Sequence, residues 1–198
     1  MNKRKTIAVG IVLALILIIG GTIAFFTDTD TKTNTFTIGD GVDIQITETF
    51  DETDAEDIHP GEVVEKAPAI ENTGEVSAYV FAEVVIPCYA ASGTGNVDTP
   101  LYTFTENNGW LLIGTSSVDT TAKTITYLYA YGTASQMTEL EKDDTTVAIF
   151  DEVTLVPTLT KAQSDTASDT PNIVINAYAI QIENVGSTPA AVWSCIPH

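Results

Sequence analysis

The chain has 198 residues, with 8 lysines and arginines against 27 aspartates and glutamates and a formal net charge of −19. Such acidity excludes nucleic acid, whose partners present a basic face, and excludes adhesion to anionic lipid; it keeps copies soluble and mutually repelling. With 44% hydrophobic residues, the length suits one domain core.

The first segment is "MNKRKTIAVGIVLALILIIGGTIAFF". Lys3, Arg4 and Lys5 form a positive region, and Ile7 to Ile19 an apolar one. Gly20-Gly21 then breaks the run, and Thr22-Ile23-Ala24 places small residues where a signal peptidase reads. This layout predicts a secretory signal helix over 1–24, cut between Ala24 and Phe25. The run Ile7 to Phe26 also meets the length of about twenty residues that spans a bilayer. A retained anchor is therefore the alternative, though the glycine pair and the small-x-small site favour cleavage. Either outcome places the bulk of the chain outside the cytoplasm. Cleavage removes three basic residues and no acidic ones, so the mature charge is 5 − 27 = −22.

Next comes "AFFTDTDTKTNTFTIGDG". Threonine recurs at 27, 29, 31, 33, 35 and 37, with Asp28, Asp30, Lys32, Asn34 and Phe36 between. Alternation of this kind is the period of a strand. Almost nothing in it is apolar, so it cannot bury a face of its own. It is either a strand awaiting a partner or a flexible threonine-rich linker.

From residue 40 the signals are those of short strands. In "VDIQITE", Val42, Ile44 and Ile46 alternate with polar residues, as in a half-buried strand. "DETDAEDIHPG" is an acidic loop ending in a Pro-Gly turn. "EVVEKAPAIENTG" is a strand closed by Asn72-Thr73-Gly74, and "SAYVFAEVVIP" a strand covered on both faces, stopped by Pro87. "CYAASGTGNVDTP" reads as a loop, and "LYTFTENNGWLLIG" as two short strands around Asn107-Asn108-Gly109. "KTITYLYAYG" sets Ile125, Tyr127, Tyr129 and Tyr131 on one face; "TTVAIFDEVTLVP" turns Val153 and Leu155 inward. A helical turn falls in "TKAQSDTASDTP", a second strand apolar on both faces in "NIVINAYAIQIENVG", and a short helix at Pro189 to Trp193. No stretch after the signal sustains a 3.6-residue period. The expectation is an all-β sandwich or jelly roll over 40–198, with no second domain. Tyr79, Phe81, Trp110, Tyr127, Tyr129, Phe150 and Trp193 are assigned to its core and rim.

Enzyme motifs for zinc proteases, serine hydrolases and phosphate loops are absent. His59 and His198, the two histidines, stand far apart in the chain and are expected to face solvent. The acidic runs Asp51 to Asp57 and Asp28 to Asn34 lack the spacing of a calcium loop. No catalytic residue, metal site or cofactor is expected. Cys88 and Cys195 either form one bridge in an oxidising compartment or remain two unrelated thiols.

The signal and mature N-terminus resemble those of the TasA/camelysin family of Gram-positive bacteria. The residues that carry the likeness are Gly20, Gly21, Ala24, Phe25, Phe26, Thr27, Asp28, Phe36, Ile38 and Gly39. "HPGEVVEKAPAIENTGEVSAYVFAEVVIP" is similar to a second family block. The resemblance implies processing by a SipW-type signal peptidase. It further implies a secreted jelly-roll subunit of biofilm-matrix fibres that polymerises head to tail, with accessory matrix proteins as further partners. Residues 25–39 would then be a donor strand for the neighbouring subunit, with Phe25, Phe26, Phe36 and Ile38 filling pockets of its sandwich. The alternatives are a monomeric binding module, anchored or secreted, and a camelysin-like protease. For the protease, the family's metal ligands have no counterpart cluster in this sequence.

Overall fold

The structure, a computed structural model, describes residues 41–91, 95–167 and 171–196. The signal with its Ala24–Phe25 cleavage point, the segment 25–39 with Phe25, Phe26, Phe36 and Ile38, and His198 lie outside the described residues.

The fold is all-β. Among the described residues, nine strands run β1 Ile44–Phe50, β2 Val63–Asn72, β3 Ala78–Ala90, β4 Val97–Pro100, β5 Tyr102–Thr103, β6 Trp110–Asp119, β7 Thr124–Tyr131, β8 Glu152–Leu155 and β9 Val174–Gln181. Two short helices, α1 Lys161–Ser164 and α2 Pro189–Trp193, occupy the late connections. One sheet has the order β1-β2-β8-β5; the other has β4-β3-β7-β6, with β9 paired to β3. All pairings between these strands are antiparallel.

Strand period divides the burial cleanly. Even-numbered residues of β3 (Val80, Val84, Ile86 and Cys88 among them) join Val64 and Ile70 of β2, Tyr129 of β7 and Val153 and Leu155 of β8 in one core shared by both sheets. Odd-numbered Tyr79 and Phe81 of β3 face away, while Tyr89, at a register shift, joins the first core. Phe81 there packs with Ala130, Met137, Val192 and Ile196 in a second cluster, roofed by the C-terminal segment. Trp193 of α2 lies 5.1 Å from the Phe81 ring and 5.4 Å from Tyr178. Two covered faces explain why β3 reads as a continuous apolar run.

Several expectations need correction. Pro87 does not stop β3, which continues to Ala90. Pro87 has no N–H to give, but its carbonyl accepts from Leu101, and Cys88 resumes the ladder by donating to the Lys123 carbonyl. The expected loop after it holds the end of β3 and all of β4. β5 and β6 do not form a hairpin: β5 pairs with β8 and β6 with β7, so the Asn107 turn crosses between sheets. Asn107 is held there because its backbone N–H donates to Ile149 and its side chain to Ala148 and Asp151. β9 is only half-covered and leaves Val174 exposed; among the described residues it pairs with β3 alone.

Candidate functional site

Two strands end their sheets next to each other. β1 pairs with β2 and β9 pairs with β3; each leaves its other edge without a ladder partner among the described residues. Between them opens a cleft of about 640 Å³. Its walls carry Ile46 and Phe50 from β1, Val64 from β2, Ile173, Val174 and Ile175. Ile46, Phe50 and Val174 are 37%, 40% and 48% exposed. The sequence predicts Ile46 on the covered face of a half-buried strand; it does face inward, but the cleft leaves it open.

A charged pair stands among these apolar walls. Lys66 of β2 is buried, and its Nζ donates to Glu48 Oε1 of β1 while lying 4.7 Å above the Phe50 ring. Strand register explains the contact: Phe50 is the direct partner of Lys66, and Glu48 is the partner of Pro68. Glu48, Phe50, Lys66 and Pro68 thus share one face of the β1–β2 ladder. The sequence pattern places the end of this strand at Glu48 and marks neither Lys66 nor Phe50. The available signal was the alternation Ile44, Ile46, Glu48, Phe50, which continues two residues further.

The chain enters β1 through a pinned turn. Asn72 is fully buried; its Nδ2 donates to the carbonyls of Val76 (2.9 Å) and Leu140 (3.0 Å). Its Oδ1 accepts from Gly74 N–H at 3.0 Å. The turn in turn holds residues 41–43: Thr73 and Gly74 N–H donate to Asp43 O, and Glu75 N–H to Gly41 O. A Cβ at Gly74 would sit 2.5 Å from Gly41 O and 2.6 Å from Asp43 N, so glycine is required for this approach. Residues 41–43, which lead into β1, are therefore fixed against this turn.

The other sequence candidates are dispersed. Asp51 caps a 3₁₀ turn: its Oδ1 accepts from the Thr53 hydroxyl and N–H at 2.7 and 2.9 Å, which lowers its pKa. His59 is exposed beside Glu62, 3.5 Å away. Cys88 and Cys195 are both free thiols. Cys88 lies on the inner face of β3, whereas Cys195 follows α2 on the outer side, so the structure does not bring them together.

Among the described residues, no group of three or more His, Cys, Asp or Glu is placed to hold a metal ion. The described residues therefore do not fit a protease zinc site, for which His59 and Glu62 supply at most one exposed pair. Among the same residues, no helix is long and apolar enough to cross a membrane.

No curated protein and no solved structure matches the chain. Residues 2–86 match the family model described as camelysin metallo-endopeptidase. That match, which ends inside β3, bears out the TasA/camelysin resemblance read from the signal block and the β2–β3 region.

Proposed function

We propose that the protein is a secreted structural subunit of extracellular matrix fibres, and that the β1–β9 cleft receives residues 25–39 of a second copy. The observation that carries this reading is the cleft itself, bounded by two sheet edges and walled by exposed apolar side chains. An added strand would give main-chain hydrogen bonds to an edge and cover Ile46, Phe50 and Val174. The segment 25–39 has the alternation for this role, with Phe36 and Ile38 as its apolar end. A SipW-type peptidase would free the segment by cutting between Ala24 and Phe25. Each subunit then offers a strand and accepts one, a head-to-tail contact that does not close and so yields filaments. The jelly-roll winding and a place for accessory matrix proteins belong to the same reading.

Electron microscopy of two purified proteins tests it. Residues 25–198 are expected to form fibres, and residues 40–198 to stay monomeric. Fibres from both, or from neither, would refute strand donation by 25–39; monomers from both would favour a stalked binding module. The family description supports a second reading, a camelysin-like protease. Zinc analysis with a casein-cleavage assay decides that one, and stoichiometric zinc with cleavage would establish it.

A further inference from the structure

Resting on this reading, we infer that the Lys66–Glu48 pair selects the incoming strand and sets its register by meeting the charges on that strand's inward face. A closed sandwich fills its inner faces with apolar side chains. Here the inner face of the β1–β2 ladder carries one lysine and one glutamate, the cation and the anion among the residues that line the cleft. The lysine side chain is 11% exposed and the glutamate 29%. Lys66 Nζ has three N–H donors and gives one to Glu48. Covering this pair with a wholly apolar strand would strip its remaining water and return nothing. Inward-pointing charge on an edge strand is also a known guard against indiscriminate pairing.

The segment 25–39 has the matching pattern. Strand period puts Phe36 and Ile38 on the same face as Asn34, Lys32, Asp30 and Asp28. If Phe36 and Ile38 fill apolar pockets, those charges must enter the cleft with them. An apolar side next to a charged block is also what the cleft presents, with Ile46 followed by Glu48 and Lys66 beside Phe50. Carboxylates at 28 and 30 can accept from the remaining Lys66 donors, and Lys32 can pair with Glu48. A slip by one residue would turn threonines inward and lose every such pair. The polar composition of the segment is thus a specificity feature: it fits this cleft and is a poor match for an all-apolar edge.

The test follows fibre elongation by light scattering with the mature chain, residues 25–198. The exchange Glu48→Lys with Lys66→Glu keeps an ion pair in each subunit but reverses its polarity. It is expected to slow elongation at least about tenfold, with the far-ultraviolet spectrum and thermal midpoint preserved. Adding Asp28→Lys, Asp30→Lys and Lys32→Glu to that chain should restore the rate to within about threefold. The same three segment changes on the wild-type cleft are the second variant, which alters no core residue and should again slow elongation about tenfold. The defects should shrink in high salt. Wild-type rates in the exchanged chain or in the segment variant, or no recovery on combining them, would overturn the inference while leaving polymerisation intact. Absence of fibres from the unmodified chain would instead overturn the polymer reading, and this inference with it.

Discussion

Truncating Asn72 to alanine tests whether the turn before β3 anchors the start of β1. The side chain makes three hydrogen bonds, but their losses differ. Gly74 N–H keeps a second acceptor, the Asp43 carbonyl, and Leu140 O keeps the Ala78 N–H. The Val76 carbonyl is the acceptor that loses most. Two donated bonds at about 1 kcal/mol each, part of the third, and the void left by a fully buried amide give a cost of about 2–3 kcal/mol. With a urea dependence of about 2 kcal/mol per molar, the midpoint should fall by about 1–1.5 M. Urea titration followed by tryptophan fluorescence measures this. Gly74→Ala should cost at least as much, because the added Cβ meets backbone atoms that have no rotamer to change. A midpoint shift below about 0.3 M for Asn72→Ala would refute the claim that this side chain pins residues 41–43.

The two thiols should behave differently. In the native protein at pH 8 a thiol reagent should titrate one equivalent, from exposed Cys195, and two in guanidinium; zero equivalents would mean a disulfide. Burial, with help from the Asp98 charge, pushes Cys88 from an ordinary 9.0 up to about 11. The unfolded chain then ionises first, so stability is full below about pH 9 and is lost as pH rises towards 11, by up to about 2–3 kcal/mol. Burial raises the Tyr102 and Tyr129 pKa values in the same direction, so the Cys88 share is read as the flatter profile of Cys88→Ala between pH 9 and 11. Assembly of the mature chain should strengthen in added salt or at low pH, where charge repulsion falls; equal or weaker scattering at low pH would count against it.

Elements dictated by local pattern were readable in the sequence. β3 is a near-continuous apolar run, β7 alternates at strand period, Asn72-Thr73-Gly74 is turn chemistry, and α2 opens with proline at its first turn. What could not be read depends on distant pairing. Pro87 is harmless only because Leu101 and Lys123 arrive to complete the ladder around it. The Asn107 turn looks like a hairpin until segment 147–151 fastens it between sheets. The cleft was out of reach for the same reason: Ile46 and Val174 are 128 positions apart, and only the topology sets β1 and β9 side by side. Lys66 carries no signal of its own in the sequence, since nothing local shows that its even-numbered position faces inward with Glu48.

The most direct test of the account is a cryo-electron microscopy map of fibres grown from residues 25–198. Density is expected for a strand of the neighbouring subunit lying along Ile44–Phe50 and Val174–Gln181, with its charged residues beside Glu48 and Lys66. Fibres in which this cleft stays open, and subunits touch through other surfaces, would contradict it.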